Sequence, residues 1–326
     1  MKQLKKNLKK YKPIYLFYLR IIGIWIRLKI FLFGEKRLCS KEYSTFHEVS
    51  PNLKDPKGLN EKIVWLKLNY YKKYFQTCSD KFLVRQFIKK RHPEYEDKLV
   101  PLIKVYKRTK DFRWDDLTYP CIIKASNGSG QNLIINNKNE YSDSEIRYEL
   151  KRMEILANNL AVSSCEHQYL TRNAFFVVEK LLEDANGNIP NDYKFFYFNG
   201  SLEFIYCSVD RRGINVRQIY DKDWNRLEFM WVQHAEEFYD EYSKSDEIPV
   251  PKHYSEMLEV SHKIAKDFPF VRVDFYDTEE SYYIGEITLH HGGGNDSFYP
   301  EKYDLYYGDK LRLPDQNRKP WGGLIK

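Results

Sequence analysis

Apolar and polar residues alternate along VRVDFYD (271–277). Val271, Val273 and Phe275 fall on one face and Arg272 and Asp274 on the other, the period of a half-buried strand. YYIGEITL (282–289) repeats the pattern, with Glu286 and Thr288 on one face and Ile287 and Leu289 opposite, so the two runs predict a hairpin. Similar runs predict strands over PCIIKAS (120–126), NLIINN (132–137), AFFVVEKLLE (174–183), DYKFFYF (192–198) and LEFIYCSV (202–209), with Asn199-Gly200 as a tight turn and a further hairpin over 215–231. Helical spacing takes over elsewhere. Ile63, Trp65, Leu66 and Leu68 make a stripe within 60–75, and Asp80 caps a helix over 81–91 that stops before Pro93. Ser142 and Glu145 form a capping box for a helix to about 160, and 254–267 is another helix. Residues 40–120 read as helical and loop-rich. Helices interleaved with antiparallel hairpins, and no repeat at solenoid periods, specify an α+β fold.

Charge separates an N-terminal arm from the body. The chain of 326 residues carries a formal +7, yet residues 1–37 hold eleven Lys/Arg and one acid, leaving the remainder at −3. A body without net positive charge is not built to coat nucleic acid. Within the arm, MKQLKKNLKKYK (1–12) is polybasic, and PIYLFYLRIIGIWIRLKIFLF (13–33) is apolar but broken by Arg20, Arg27 and Lys29. Cations near the midplane cost roughly 2.5–3.5 kcal/mol each, which disfavours a spanning helix. Arg20 and the lack of a small-residue cleavage site disfavour a signal peptide. Two readings remain: a segment lying on an anionic membrane surface, or a helix packed on the body with a solvated basic tail. With 42% hydrophobic and 30% charged residues, the rest can bury a sizeable core in one large domain or two to three lobes. Five cysteines, about 40 residues apart and without a CxxC, look like reduced thiols, not a disulfide frame or a zinc site.

The last hairpin carries the sharpest chemistry. With its turn centred near Glu280, Asp274 lies across from Glu286 and Arg272 across from Thr288. Two opposed carboxylates destabilise a sheet unless a positive charge sits between them, and a divalent cation with oxygen ligands is a natural mediator. A solvated face with an Arg–Asp pair is the plainer alternative. In KASNGSG (124–130), Lys124 ends a strand and Gly128, Ser129 and Gly130 form a loop whose N–H groups could approach phosphate. On its own, a simple glycine hairpin turn is the plainer explanation. Glu179, Lys180, Leu181 and Leu182 could present backbone groups and apolar walls to a purine edge, and Lys194 either snorkels or points at an anion. Arg211, Arg212 and Arg217 are either grips for an anionic ligand or surface charges.

In this order the pieces resemble the ATP-grasp superfamily, and more closely its TupA-like branch from bacterial surface-polysaccharide loci. The resemblance runs from PNLKDPKGLNEKIVWLKL (51–68) through DKFLVRQFI, IIKASNGSG, VVEKLLED, DYKFFYFNG, the YDKDWN turn and KDFPFVRVDFY to GEIT (285–288). It implies an ATP-grasp fold of two α+β lobes clasping ATP. The domains would be an arm over 1–37, a helical region over 38–119, a glycine-loop lobe over 120–185 and a metal-bearing lobe over 186–326. Lys124 and Lys194 would contact phosphates, Glu179 to Leu182 the adenine, and Glu183 or Asp184 the ribose. Asp274 and Glu286 would hold magnesium, with Thr288 where the family usually has Asn. Arg272 would stabilise the transferred phosphoryl group, and His290, His291 or Asn295 would face the substrate or pack. The implied activity is a ligase: ATP phosphorylates a uronic-acid carboxylate of a capsular or other surface polysaccharide, and an amino acid or other amine displaces the phosphate to give an amide. The implied location is the cytoplasm, peripheral on the inner face of the membrane. The alternatives are a glycosyltransferase using Asp221-Lys222-Asp223, an ATP-dependent sugar kinase, or a non-catalytic membrane scaffold.

Overall fold

A computed structural model of the chain describes residues 11–170, 175–211 and 214–325. The basic run before Tyr11 lies outside them, as do Arg212 and the side chain of Arg211.

The N-terminal part is helical: α1 (Lys12–Phe33), α2 (Glu35–His47), α3 (Leu59–Asn69), α4 (Tyr74–Ser79) and α5 (Val84–Arg91). Helix α3 stops short of the expected end because Tyr70 turns extended, and a distant segment satisfies the helix end: Asn317 and Arg318 donate their N–H groups to the Asn69 carbonyl at 3.1 and 3.0 Å. The helix buries Leu59, Ile63, Val64, Leu66 and Leu68, while Trp65 is only half-buried. The helix expected over 81–91 begins only at Val84; Asp80 sits before it, its Oδ1 accepting from the N–H groups of Phe82 and Leu83 at 2.9 Å each in the turn that leads into α5.

The first lobe is a four-stranded antiparallel sheet in the order β1-β4-β2-β3, made of β1 (Leu102–Tyr106), β2 (Cys121–Ala125), β3 (Asn132–Ile135) and β4 (Phe176–Lys180). Helix α6 (Asp143–Ser163) opens on the Ser142–Glu145 capping box and packs Ile146, Leu150 and Met153 against Cys121, Ile123, Ile135 and Val178. Strand β1 comes from the stretch that reads as helical and loop-rich. It is an edge strand with few buried side chains, so its sequence lacks a clean alternation.

The second lobe is a five-stranded antiparallel sheet, β10-β9-β5-β6-β7, comprising β5 (Asn191–Phe198), β6 (Ser201–Arg211), β7 (Ile214–Tyr220), β9 (Phe270–Asp277) and β10 (Tyr282–Thr288). The hairpin expected over 215–231 does not form beyond a single Tyr220–Arg226 bridge. Strand β8 (Met230–Val232) instead pairs with β11 (Ser297–Tyr299), because Phe229 and Trp231 are drawn into an aromatic cluster where Trp231 stacks on Phe298 at 4.8 Å. Three further helices are α7 (Ala235–Lys244), α8 (Tyr254–Ala265) and α9 (Lys302–Lys310); of these only α8 was expected.

Each face of the large sheet has its own core. Tyr193, Phe195, Tyr197, Val271, Val273 and Phe275 point one way, against α5 and α8. Phe196, Phe198, Phe204 and Phe270 point the other way, against α3 and α9. Alternation therefore places Asp192 and Lys194 on the second face, at the end those helices leave open.

Candidate functional site

Strand register assembles the site as neighbouring rungs on that open face. One rung reads Glu286, Asp274, Lys194, Tyr206; the next reads Thr288, Arg272, Phe196, Phe204; on the other side lie Tyr276, Asp192, Ser208, Arg217. The expected pairings of Asp274 with Glu286 and Arg272 with Thr288 are both present. A bulge makes them possible: the register shifts between Ile284 and Glu286, and Gly285 is the extra residue.

Charges of both signs converge here. Arg272 donates to Asp274 through Nε at 2.7 Å and Nη2 at 2.6 Å, and its Nη1 donates to His291 Nδ1 at 2.7 Å. That bond makes His291 Nδ1 an acceptor and leaves the proton on Nε2, which lies 3.2 Å from Asp296. Burial lowers the His291 pKa, and Asp296 opposes the shift only in part. Lys194 pairs with Asp192 and stands 3.9 Å from Asp274. Burial pushes the Asp274 carboxyl up to about 6, with Arg272 and Lys194 offsetting part of the effect. Burial also works to raise Glu286, but Lys81, Arg272 and Lys194 together hold it below its usual range.

The first lobe closes over this face. Lys81 donates to the Gly128 carbonyl at 2.6 Å and faces Glu286 at 3.5 Å, so one ammonium ties the glycine loop to the opposite lobe. Lys124 is buried, pairs with Glu179 at 2.8 Å, and lies 5.9 Å from the centre of the Tyr276 ring. Arg85 holds the other Glu179 oxygen at 2.8 Å. Tyr276 stays a phenol because it is buried and because Asp192, Asp274, Glu286 and Glu179 all bear on it. In the loop, Gly128 and Gly130 take φ of 128° and 72°, which an L side chain rarely adopts, and Ser129 and Gly130 are exposed.

Two cavities flank the charges. A crevice of about 60 Å³ lies between Ile122, Ile134, Leu181, Leu182, Pro190 and Tyr276, with Lys124 and Lys180 at its rim. A wider pocket of about 620 Å³ lies beyond Lys194, against Tyr206, Arg217, Trp231, Phe238 and Asp296, with His291 in its wall.

Opposed carboxylates thus stand on one lobe and a lysine-flanked glycine loop on the other, and residues 61–312 of this chain match the family model for TupA-like ATPgrasp. The chain belongs to the TupA-like ATP-grasp family. Its fold is the α+β ATP-grasp fold. Solved structures similar to it include a D-alanine–D-alanine ligase from Bacillus anthracis complexed with ATP, at 15% identity and TM-score 0.38, covering 65% of this chain and 55% of that one. The corresponding ligase from Helicobacter pylori is 12% identical, with TM-score 0.41 and coverages of 80% and 68%. An N5-carboxyaminoimidazole ribonucleotide synthetase from Thermus thermophilus is 8% identical, with TM-score 0.34 and coverages of 66% and 46%. The match thus spans about half the length of the Bacillus ligase. No curated protein matches the sequence.

In this ATP-grasp chain Lys124, Lys194, Arg272, Asp274, Glu286 and Thr288 converge, Glu179 joins them through Lys124, and Leu181 and Leu182 wall the crevice. Glu183 is exposed, and Asp184 is engaged in its own turn, accepting from the N–H groups of Asn186 and Asn188. Arg217 and His291 reach the wider pocket. Asn295 does not: it faces Glu42 of α2. His290 is likewise turned away, accepting from Gln168 at 3.0 Å. Asp221 spends its oxygens on the N–H groups of Asp223 and Asn225 and on the Asn225 side chain, an Asx turn. Lys81, Arg85, Asp192, Tyr276 and Asp296 were missed by the sequence reading. Only strand parity, which sets Asp192 and Tyr276 beside Lys194 and Asp274, could have found two of them.

The donor set suits a hard cation completed by phosphate oxygens. Asp192 Oδ1 and Thr288 Oγ1 are buried without hydrogen-bond partners beside the opposed Asp274 and Glu286. Among the described residues no group of three or more His, Cys, Asp or Glu could hold a metal by itself.

Proposed function

We propose that the protein is an ATP-dependent carboxylate–amine ligase. The observation that carries this reading is the facing of Lys124, Lys81 and the glycine loop against the rung of Glu286, Asp274 and Lys194 and the next rung, which carries Arg272 and Thr288. This is a site for a polyphosphate with its cation. The adenine lies in the crevice beside Leu181 and Leu182, and Lys124, Lys194 and Arg272 meet phosphate oxygens. Asp274 and Glu286, with Thr288 alongside, would hold Mg²⁺, which when bound offsets phosphate charge.

The acceptor occupies the wider pocket. The exposed Phe238 ring, with Tyr206 in the wall and buried Trp231 behind it, offers an apolar surface for a sugar ring, and Arg217 and Lys194 offer cations for its carboxylate. The acceptor carboxylate oxygen bonds to the γ-phosphorus as ADP leaves. The amine nitrogen then bonds to the acyl carbon, phosphate departs, and the amine loses its proton. Arg272 is the residue that spans both stages, since it lies between the rungs and His291 in the pocket wall. The reading extends to a uronic acid of a surface polysaccharide, in the cytoplasm at the inner face of the membrane.

A magnesium-dependent ADP-release screen with uronic-acid glycans and pooled amino acids, read by mass spectrometry, tests it. Condensation with loss of water is the expected product. A mass gain of one phosphate identifies a kinase, and nucleotide-sugar turnover that survives Asp274→Asn identifies a transferase. The occupied oxygens of Asp221 speak against the last of these.

A further inference from the structure

Helix α1 is apolar on two opposite faces. Tyr15, Leu19 and Gly23 are buried against α6, where Asn159 donates to the Leu19 carbonyl at 2.8 Å. A Cβ at Gly23 would sit 2.2 Å from Asn159 Oδ1, so glycine permits the close approach. At 100° per residue, Phe17, Ile21, Ile24, Trp25, Leu28 and Phe31 fall on the far side, and all are exposed, Ile24 to 64% and Trp25 to 58%. Arg20 and Arg27 border this outer face on one side and Lys29 on the other, all three exposed.

The C-terminal segment widens the same surface. Trp321 stacks on Phe31 at 6.4 Å, and the N–H groups of Leu324 and Ile325 donate to the Leu32 carbonyl at 2.9 and 2.7 Å. Leu324 and Ile325 stay exposed, at 59% and 47%. Gly34 and Gly323, both at positive φ, let the two backbones meet. Beside the face, a cleft of about 460 Å³ between α1 and α2 is lined by Lys29, Arg37 and Lys41 together with Ile26, Phe33 and Leu38.

We infer that this outer face, α1 with the 321–325 segment, is a docking surface for an anionic phospholipid bilayer. A rigid apolar strip with cations along both borders is the cross-section of an interfacial helix: side chains enter the acyl region and Lys and Arg meet lipid phosphates. Among the described residues no helix is long and apolar enough to cross a membrane, which fits a helix lying in the plane. Charge argues against a second copy as occupant, since pairing two such faces brings together two arms of +10 each. The inference rests on residues outside the nucleotide site and stands or falls separately from the ligase reading.

Co-sedimentation of the full chain with vesicles of pure phosphatidylcholine or with added phosphatidylglycerol tests it. Binding is expected to require the anionic lipid, and Ile24→Ser/Trp25→Ser/Leu28→Ser should weaken it by about tenfold or more. Leu324→Ser/Ile325→Ser should weaken it separately. If the serine variants fold poorly, quenching by brominated lipid keeps the test open: quenching should fall in Trp25→Phe and in Trp321→Phe and be lost when both are replaced, because these are the two exposed indoles of the face. Equal binding to both vesicle types, unchanged binding of the well-folded variants, or a solution dimer that the variants dissociate overturns the inference.

Discussion

Arg272 performs two tasks that only a guanidinium can combine. Its fork grips both Asp274 oxygens while the third nitrogen reaches His291. A lysine keeps the charge but cannot make this set of contacts. Arg272→Lys is therefore expected to lower kcat for ADP release by about 10²-fold, close to the loss from alanine, in steady-state assays. Lys81 holds no reacting group in this reading but fastens the glycine loop to Glu286. Lys81→Met should raise KM for ATP by about tenfold while changing kcat less, the cost of a charged hydrogen bond. Equal losses in both parameters would contradict the fastening role.

At the scale of elements, Asp304 of α9 caps α3 across the sequence, its Oδ1 accepting from the Asn60 N–H at 2.9 Å. Burial pushes its pKa from 3.8 to about 6, with that hydrogen bond opposing the rise. The folded protein thus binds this proton more tightly than the unfolded chain. The stabilisation is complete below about pH 4 and is lost as pH rises through about 6, roughly 3 kcal/mol in all. Asp304→Asn keeps the acceptor oxygen and removes the titration. Urea denaturation should show wild type losing stability relative to the variant between pH 4 and pH 7; a constant difference would refute the assignment. The β9–β10 hairpin offers a second test. A Cβ at Gly285 would come within 2.9 Å of the Tyr276 ring and 3.4 Å of the Asp274 carbonyl. Gly285→Val should cost about 1–3 kcal/mol of stability and weaken nucleotide binding.

For the whole molecule, a nucleotide clasped between lobes binds only the folded state. MgATP at about 100 times its Kd should add about 2.7 kcal/mol of stability, visible as a raised Tm, and Asp274→Asn should remove most of that gain. An unshifted Tm in wild type would count against the clasp. Period-two alternation by itself places Arg272 with Asp274 and Glu286 with Thr288 on shared faces, since pleating leaves a strand residue only two directions. Local chemistry likewise determined the Ser142 box, the Asp80 turn and most strands. What reaches across the chain was decided by tertiary structure. Lys81 meets Gly128 and Glu286 only because the lobes close, α3 ends where Asn317 and Arg318 satisfy it, and Trp231 left a local hairpin for a larger aromatic cluster. The N-terminal run shows the division plainly. Composition announced an apolar, cationic segment, but docking on α6 sorted it into a buried face and an outward one, because a helix has a second side only once the first is occupied.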